Sequence, residues 1–169
     1  RAARRGTGRA TTRTRGGTVT RARARDGFIA TKEESEGRMS ERELVAGGRS
    51  GTTLLAKTKT NAQGVHTVSI TMTNAPEGVE RARDVSLHWG LLREETGQTW
   101  QMLPTELHPP NTKYYEGDKA MRSAFPVWGP INLVLDPKVT CVEFALYVEK
   151  TGQWINAADG GDFQIVLDS

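Results

Sequence analysis

Apolar side chains recur at every second position in several short runs, and turn residues separate those runs. Val68, Ile70 and Met72 alternate with Ser69, Thr71 and Thr73. Val85, Leu87, Trp89 and Leu91 alternate with Ser86 and His88. Val142, Phe144, Leu146 and Val148 alternate with Glu143, Ala145 and Tyr147. A period of two sends successive side chains to opposite faces of a strand. Further candidate strands lie at residues 53–59, 99–103, 120–125, 131–135, 154–157 and 163–167. About nine short, evenly spaced strands with no convincing long helix predict an all-β fold. The expected form is an antiparallel β-sandwich of immunoglobulin-like type, with a barrel as the alternative. The alternation also predicts sheets with one buried and one wet face.

Two of the turns are alike. Glu95-Thr96-Gly97-Gln98 precedes Trp100, and Lys150-Thr151-Gly152-Gln153 precedes Trp154. A glycine in each supplies the positive φ that a tight hairpin needs. A large aromatic beside a polar turn is expected to be partly exposed, which sets it apart from ordinary surface. His88 points away from Leu87 and Trp89, so if those two are core it faces outward near Trp100. Asn156 shares a strand face with Trp154 by parity. This combination suits a sugar. A pyranose ring offers C–H patches to a flat aromatic ring and hydroxyls to polar side chains around it. Trp89 reads mainly as core, and Trp128 as loop packing. Tyr114 and Tyr115 read equally as loop anchors or as sugar contacts.

Charge is uneven along the chain. Residues 1–25 hold nine arginines and no acid, whereas the whole chain has 23 basic and 20 acidic residues. A basic segment therefore precedes a mildly acidic domain. Residues 1–50 are expected to be disordered, because they carry too little apolar surface to offset ordering entropy. Within them residues 41–45 read as a short helix, with Ser40 as cap and Glu43 at the capping-box position. The Arg- and Thr-rich start fits an organelle transit segment or a linker. A nucleic-acid-binding or protein-interaction sandwich driven by the arginines is the alternative. Residues 51–169 form the expected folded module.

Several chemistries have no support. The one cysteine, Cys141, allows neither an intramolecular disulfide nor a cysteine-based metal site. No apolar run approaches the roughly 18 residues of a membrane span. There is no glycine-rich phosphate loop and no nucleophile-elbow motif. His66, His88 and His108 lack ligand spacing. Glu143, Asp159 and Asp162 are not placed about a cleft by anything in the pattern. No catalytic residue, metal or cofactor is expected.

LHWG at residues 87–90, a tryptophan ten residues on, a Pro-Pro loop, AMRSAF at 120–125, VEFALYVEKTGQWI at 142–155 and DFQIVL at 162–167 follow in that order. Together they resemble the starch-binding carbohydrate-binding modules of family forty-five. Those modules occur in plastid α-glucan water dikinases and chloroplast α-amylases. The resemblance covers residues 52–167. It implies a non-catalytic β-sandwich that binds starch or maltooligosaccharides in a plastid, either as part of a larger enzyme with a catalytic domain or as a stand-alone module. It also implies carbohydrate contacts at His88, Trp100 and Trp154, with Trp89 as a further match to the motif; Asn156 is a candidate by its strand parity alone.

Overall fold

The structure is a computed structural model that describes residues 37–127 and 129–167. The basic start of the chain, with its transit or linker reading, and Trp128 lie outside the described residues. Ten strands follow in order: β1 Arg38–Val45, β2 Thr53–Thr60, β3 His66–Asn74, β4 Val85–Arg93, β5 Thr112–Tyr115, β6 Ala120–Ala124, β7 Ile131–Leu135, β8 Val139–Val148, β9 Gln153–Ile155 and β10 Phe163–Val166. All strand pairings are antiparallel. One sheet runs β1-β2-β3-β7 and the other β10-β8-β4-β6-β5, with β9 continuing beside β8. Among the described residues there is no α-helix, only short 3-10 turns.

The predicted alternation puts the core between the sheets. Leu54, Val68, Ile70, Leu133 and Leu135 from the first sheet meet Leu87, Trp89, Met121, Phe144 and Leu146 from the second. Phe144 and Phe163 stack with centroids 5.0 Å apart. The outer face of the first sheet is wet, as Thr67, Lys59 and Val134 show. The second sheet departs from expectation. Along β4 the outward residues Ser86, His88 and Leu92 are buried as well as the inward ones, and on β8 so are Cys141, Glu143 and Ala145. Aromatic side chains cover that face.

Three local expectations are overturned. The segment to residue 50 is not wholly outside the fold, because β1 pairs with β2 along its whole length, Arg38 opposite Thr60 to Val45 opposite Thr53. Residues 41–45 are strand, not helix. An edge strand needs only one side paired, so its charged residues can stay in water. Glu41 meets Lys57 at 2.9 Å and Ser40 Oγ meets Thr58 Oγ1 at 2.7 Å, while Leu44 and Ala46 reach the core. Residues 99–103 form no strand. Only Gln101 bridges Leu91, because Trp100 folds over the sheet and Pro104 ends the segment.

The β1 segment also ties the sheets together. The Gly47 N–H donates to the Asn156 carbonyl at 2.9 Å and the Ala158 N–H to the Val45 carbonyl at 3.1 Å. Starting the chain at Gly48 is therefore expected to cost about 3 kcal/mol, mostly the burial of Leu44 and its neighbours. That corresponds to a melting temperature lower by roughly 10 °C. A thermal melt of the truncated chain against the whole one checks it.

Candidate functional site

The cover on the second sheet is a cluster of rings around His88. β4 sits between β6 and β8, so His88 lies directly opposite Arg122 on one side and Ala145 on the other. Small Ala145 leaves room for a neighbour two strands away. Trp154 is delivered by the β8–β9 hairpin, whose register sets it opposite Tyr147. Gly152 makes that turn at φ 70°, and its N–H closes it on the Val148 carbonyl at 2.9 Å. Trp154 meets His88 edge-on at 5.1 Å and Tyr147 at 4.9 Å, and it stays 49% exposed.

Trp100 arrives from the other hairpin and lies flat on Gly90. A Cβ at that position would come within 2.5 Å of the indole Cδ2. Glycine there is a requirement of contact: only a residue without a side chain lets the ring rest on the backbone. The Trp100 indole N–H donates to Glu143 at 2.7 Å, and Gln164 donates to the other Glu143 oxygen at 2.5 Å. Glu143 is thereby fixed as an acceptor for neighbours. Burial, then the charge of Glu143, pushes the Asp162 carboxyl up. Asp162 itself accepts from Asn156 at 3.3 Å.

Tyr115, from β5, meets His88 edge-on at 5.4 Å. The Arg122 guanidinium lies 4.3 Å from the Tyr115 ring centre, 4.0 Å from that of Tyr147 and 5.3 Å from that of Trp154. Cation–π contact on several faces holds the charge in place. Burial, and next the Arg122 charge, holds the His88 imidazole below its ordinary range, partly offset by Asp118. The ring is therefore neutral at pH 7 and can both donate and accept. Its Nδ1 is buried with no hydrogen-bond partner among the described residues, as is the Arg122 Nε.

The expected residues divide as follows. His88, Trp100 and Trp154 come together. Asn156 turns to Asp162 and lies on the far side of Trp154, where a groove of about 490 Å³ is lined by Gly47, Ser50, Gln153, Trp154, Asn156 and Gly160. Trp89 is corrected from candidate contact to core: it is 0% exposed and its N–H donates to Ser123 Oγ at 2.9 Å inside the sandwich. Tyr115 faces the cluster, while Tyr114 packs on His108 at 4.7 Å and bonds Thr105. Tyr147 and Arg122 were not anticipated. The Tyr147 position follows from counting the hairpin register back from Gly152, but Arg122 carries no comparable signal.

Histidine burial has a pH consequence. Burial also lowers the His66 imidazole, against a smaller raising effect of Asp136. The unfolded chain takes up protons at both imidazoles near their ordinary 6.5, and the folded chain only at lower pH. The unfolded state thus binds more protons in this window, and stability falls as pH drops through 6.5. Melting temperature is expected to be lower at pH 5.5 than at pH 7.5, and His88→Gln to flatten that slope. A melt series across this range checks the sign.

Two antiparallel sheets packed face to face define an immunoglobulin-like sandwich domain, here with a ring-covered outer face. The sequence matches the family described as Alpha-glucan water dikinase 1 Ig-like N-terminal domain over residues 48–167. The chain belongs to that family, which ties it to enzymes of starch metabolism. No curated protein and no solved structure matches it.

Proposed function

We propose that the ring-covered face of the second sheet binds α-1,4-glucan, and that the domain is a non-catalytic starch-binding module. The observation that carries this reading is Trp154, half exposed and braced by His88 and Tyr147, with Trp100 on the other side of the same histidine. A sugar ring laid on Trp154 has polar neighbours in His88, Arg122 and the tyrosine hydroxyls. The resemblance to family forty-five modules supports the same ligand. By it, the module brings a plastid starch-metabolising enzyme, a glucan water dikinase or an α-amylase, to its substrate. The basic start of the chain then serves as a plastid transit segment or linker ahead of the module.

A single ring platform of this kind supports weak binding. A dissociation constant on the order of 0.1–1 mM corresponds to about −5 kcal/mol. The test is retention on granular starch, with a soluble maltooligosaccharide as competitor, at low and high salt. Retention that the competitor releases and that salt barely changes supports the reading. Retention on nucleic acid that falls steeply with salt would instead point to phosphate-backbone binding through the arginines. No retention on starch contradicts the proposal.

A further inference from the structure

No acid among the described side chains pairs with Arg122. The side chain makes three ring contacts, and its buried Nε has no hydrogen-bond partner among the described residues. Two acids of this face are engaged elsewhere. Glu143 accepts from Trp100 and Gln164, and Glu149 accepts from Ser86 at 2.8 Å. Asp118 is close enough to act on His88, yet it pairs with neither cation among the described side chains. Lys113 stands directly opposite Arg122 in the β5–β6 register, so two cations neighbour each other on the outer face. Like charges so placed cost stability, which a bound anion between them would offset. Tyr115 and Tyr147 flank the guanidinium at 4.3 and 4.0 Å from their ring centres.

We propose that Arg122 and Lys113 form an anion subsite beside Trp154, which takes a phosphomonoester carried by the glucan. This rests on the glucan-binding reading above. Two adjacent cations match a phosphomonoester, with roughly −1.5 to −2 charge at pH 7, better than a singly charged carboxylate. The guanidinium offers a planar pair of donors to two phosphate oxygens, and the ammonium adds a point charge. The guanidinium lies 5.3 Å from the Trp154 ring centre, so it borders the ring on which the sugar is proposed to stack. The site thereby prefers glucan that is already phosphorylated over the neutral polymer.

The test titrates the full chain with maltoheptaose, with maltoheptaose bearing one phosphomonoester, and with inorganic phosphate, at low and high salt. The phosphorylated oligosaccharide is expected to bind about tenfold tighter than the neutral one at low salt. That preference should shrink as salt rises. Arg122→Gln and Lys113→Gln should each lower the ratio of the two affinities. Melting curves monitor the variants, and if Arg122→Gln is poorly folded the exposed Lys113 carries the comparison alone. Equal affinity for the two oligosaccharides, or a ratio unchanged by the folded variants, overturns the subsite while leaving the glucan reading intact. Inorganic phosphate binding as tightly as the phosphorylated sugar overturns a glucan-borne ligand. Failure of both oligosaccharides to bind overturns the glucan reading and this inference together.

Discussion

Trp89→Ala is expected to destabilise the domain by about 3–5 kcal/mol, the range for removing a large ring from a closed core. The residue is fully buried on the inner face of β4. Its N–H begins a chain of hydrogen bonds. It donates to Ser123 Oγ at 2.9 Å, Ser123 meets Thr112 Oγ1 at 2.7 Å, and Thr112 donates to the Pro109 carbonyl at 2.7 Å. Because the Thr112 proton goes to Pro109, Ser123 donates to Thr112. The ring thus anchors β5, and with it Tyr115, from inside the sandwich. Against a total stability of about 5–15 kcal/mol, the loss leaves the variant marginal at best. Denaturant unfolding measures it. Trp89→Phe should lose markedly less, since it keeps most of the volume and forfeits only the indole donor.

Trp154→Ala has the opposite signature. Half of the residue is already in water, so the fold should lose only about 1–2 kcal/mol, from its contacts with Tyr147 and His88. Binding should suffer more. Stacking of a flat ligand on one aromatic ring is worth roughly 1–3 kcal/mol by analogy with nucleic-acid bases. A loss of 1.4 kcal/mol is about tenfold in affinity. Starting from a weak complex, retention on starch should fall close to background. If Trp154→Ala stays folded and keeps full retention, the ring is not part of the site. The pair of variants separates the two tryptophan roles, one lost through the fold and the other through the ligand.

The period-two pattern makes most of the sandwich legible in the sequence. It worked wherever a strand has one face in the core, as in β3, β4 and β8. It failed for β1, because RMSERELV is an edge strand in which only Leu44 is buried. Its Ser40 and Glu43 also mimic a helix cap. β5 was hidden by its length of four residues after a Pro-Pro loop. The two site tryptophans were legible because turn chemistry announced them. Trp89 was ambiguous only until its parity with Leu87 and Leu91 was matched to a buried face. Arg122 was illegible for a different reason. Its meaning comes from Tyr115 and Tyr147 on neighbouring strands, and sequence spacing does not encode which side chains a sheet sets side by side. The double burial of β4 was missed on the same ground: its cover comes from loops and hairpins, not from its own pattern.

The most direct test of the glucan-binding face follows the side-chain N–H resonances of the full chain by nuclear magnetic resonance during titration with maltoheptaose. Trp154, Trp100 and the His88 ring should shift together and saturate with one weak dissociation constant. Trp89, sealed between the sheets, should stay still. Shifts confined to the opposite sheet, β1-β2-β3-β7, or no saturable shift at Trp154, would contradict the assignment of this face to the ligand.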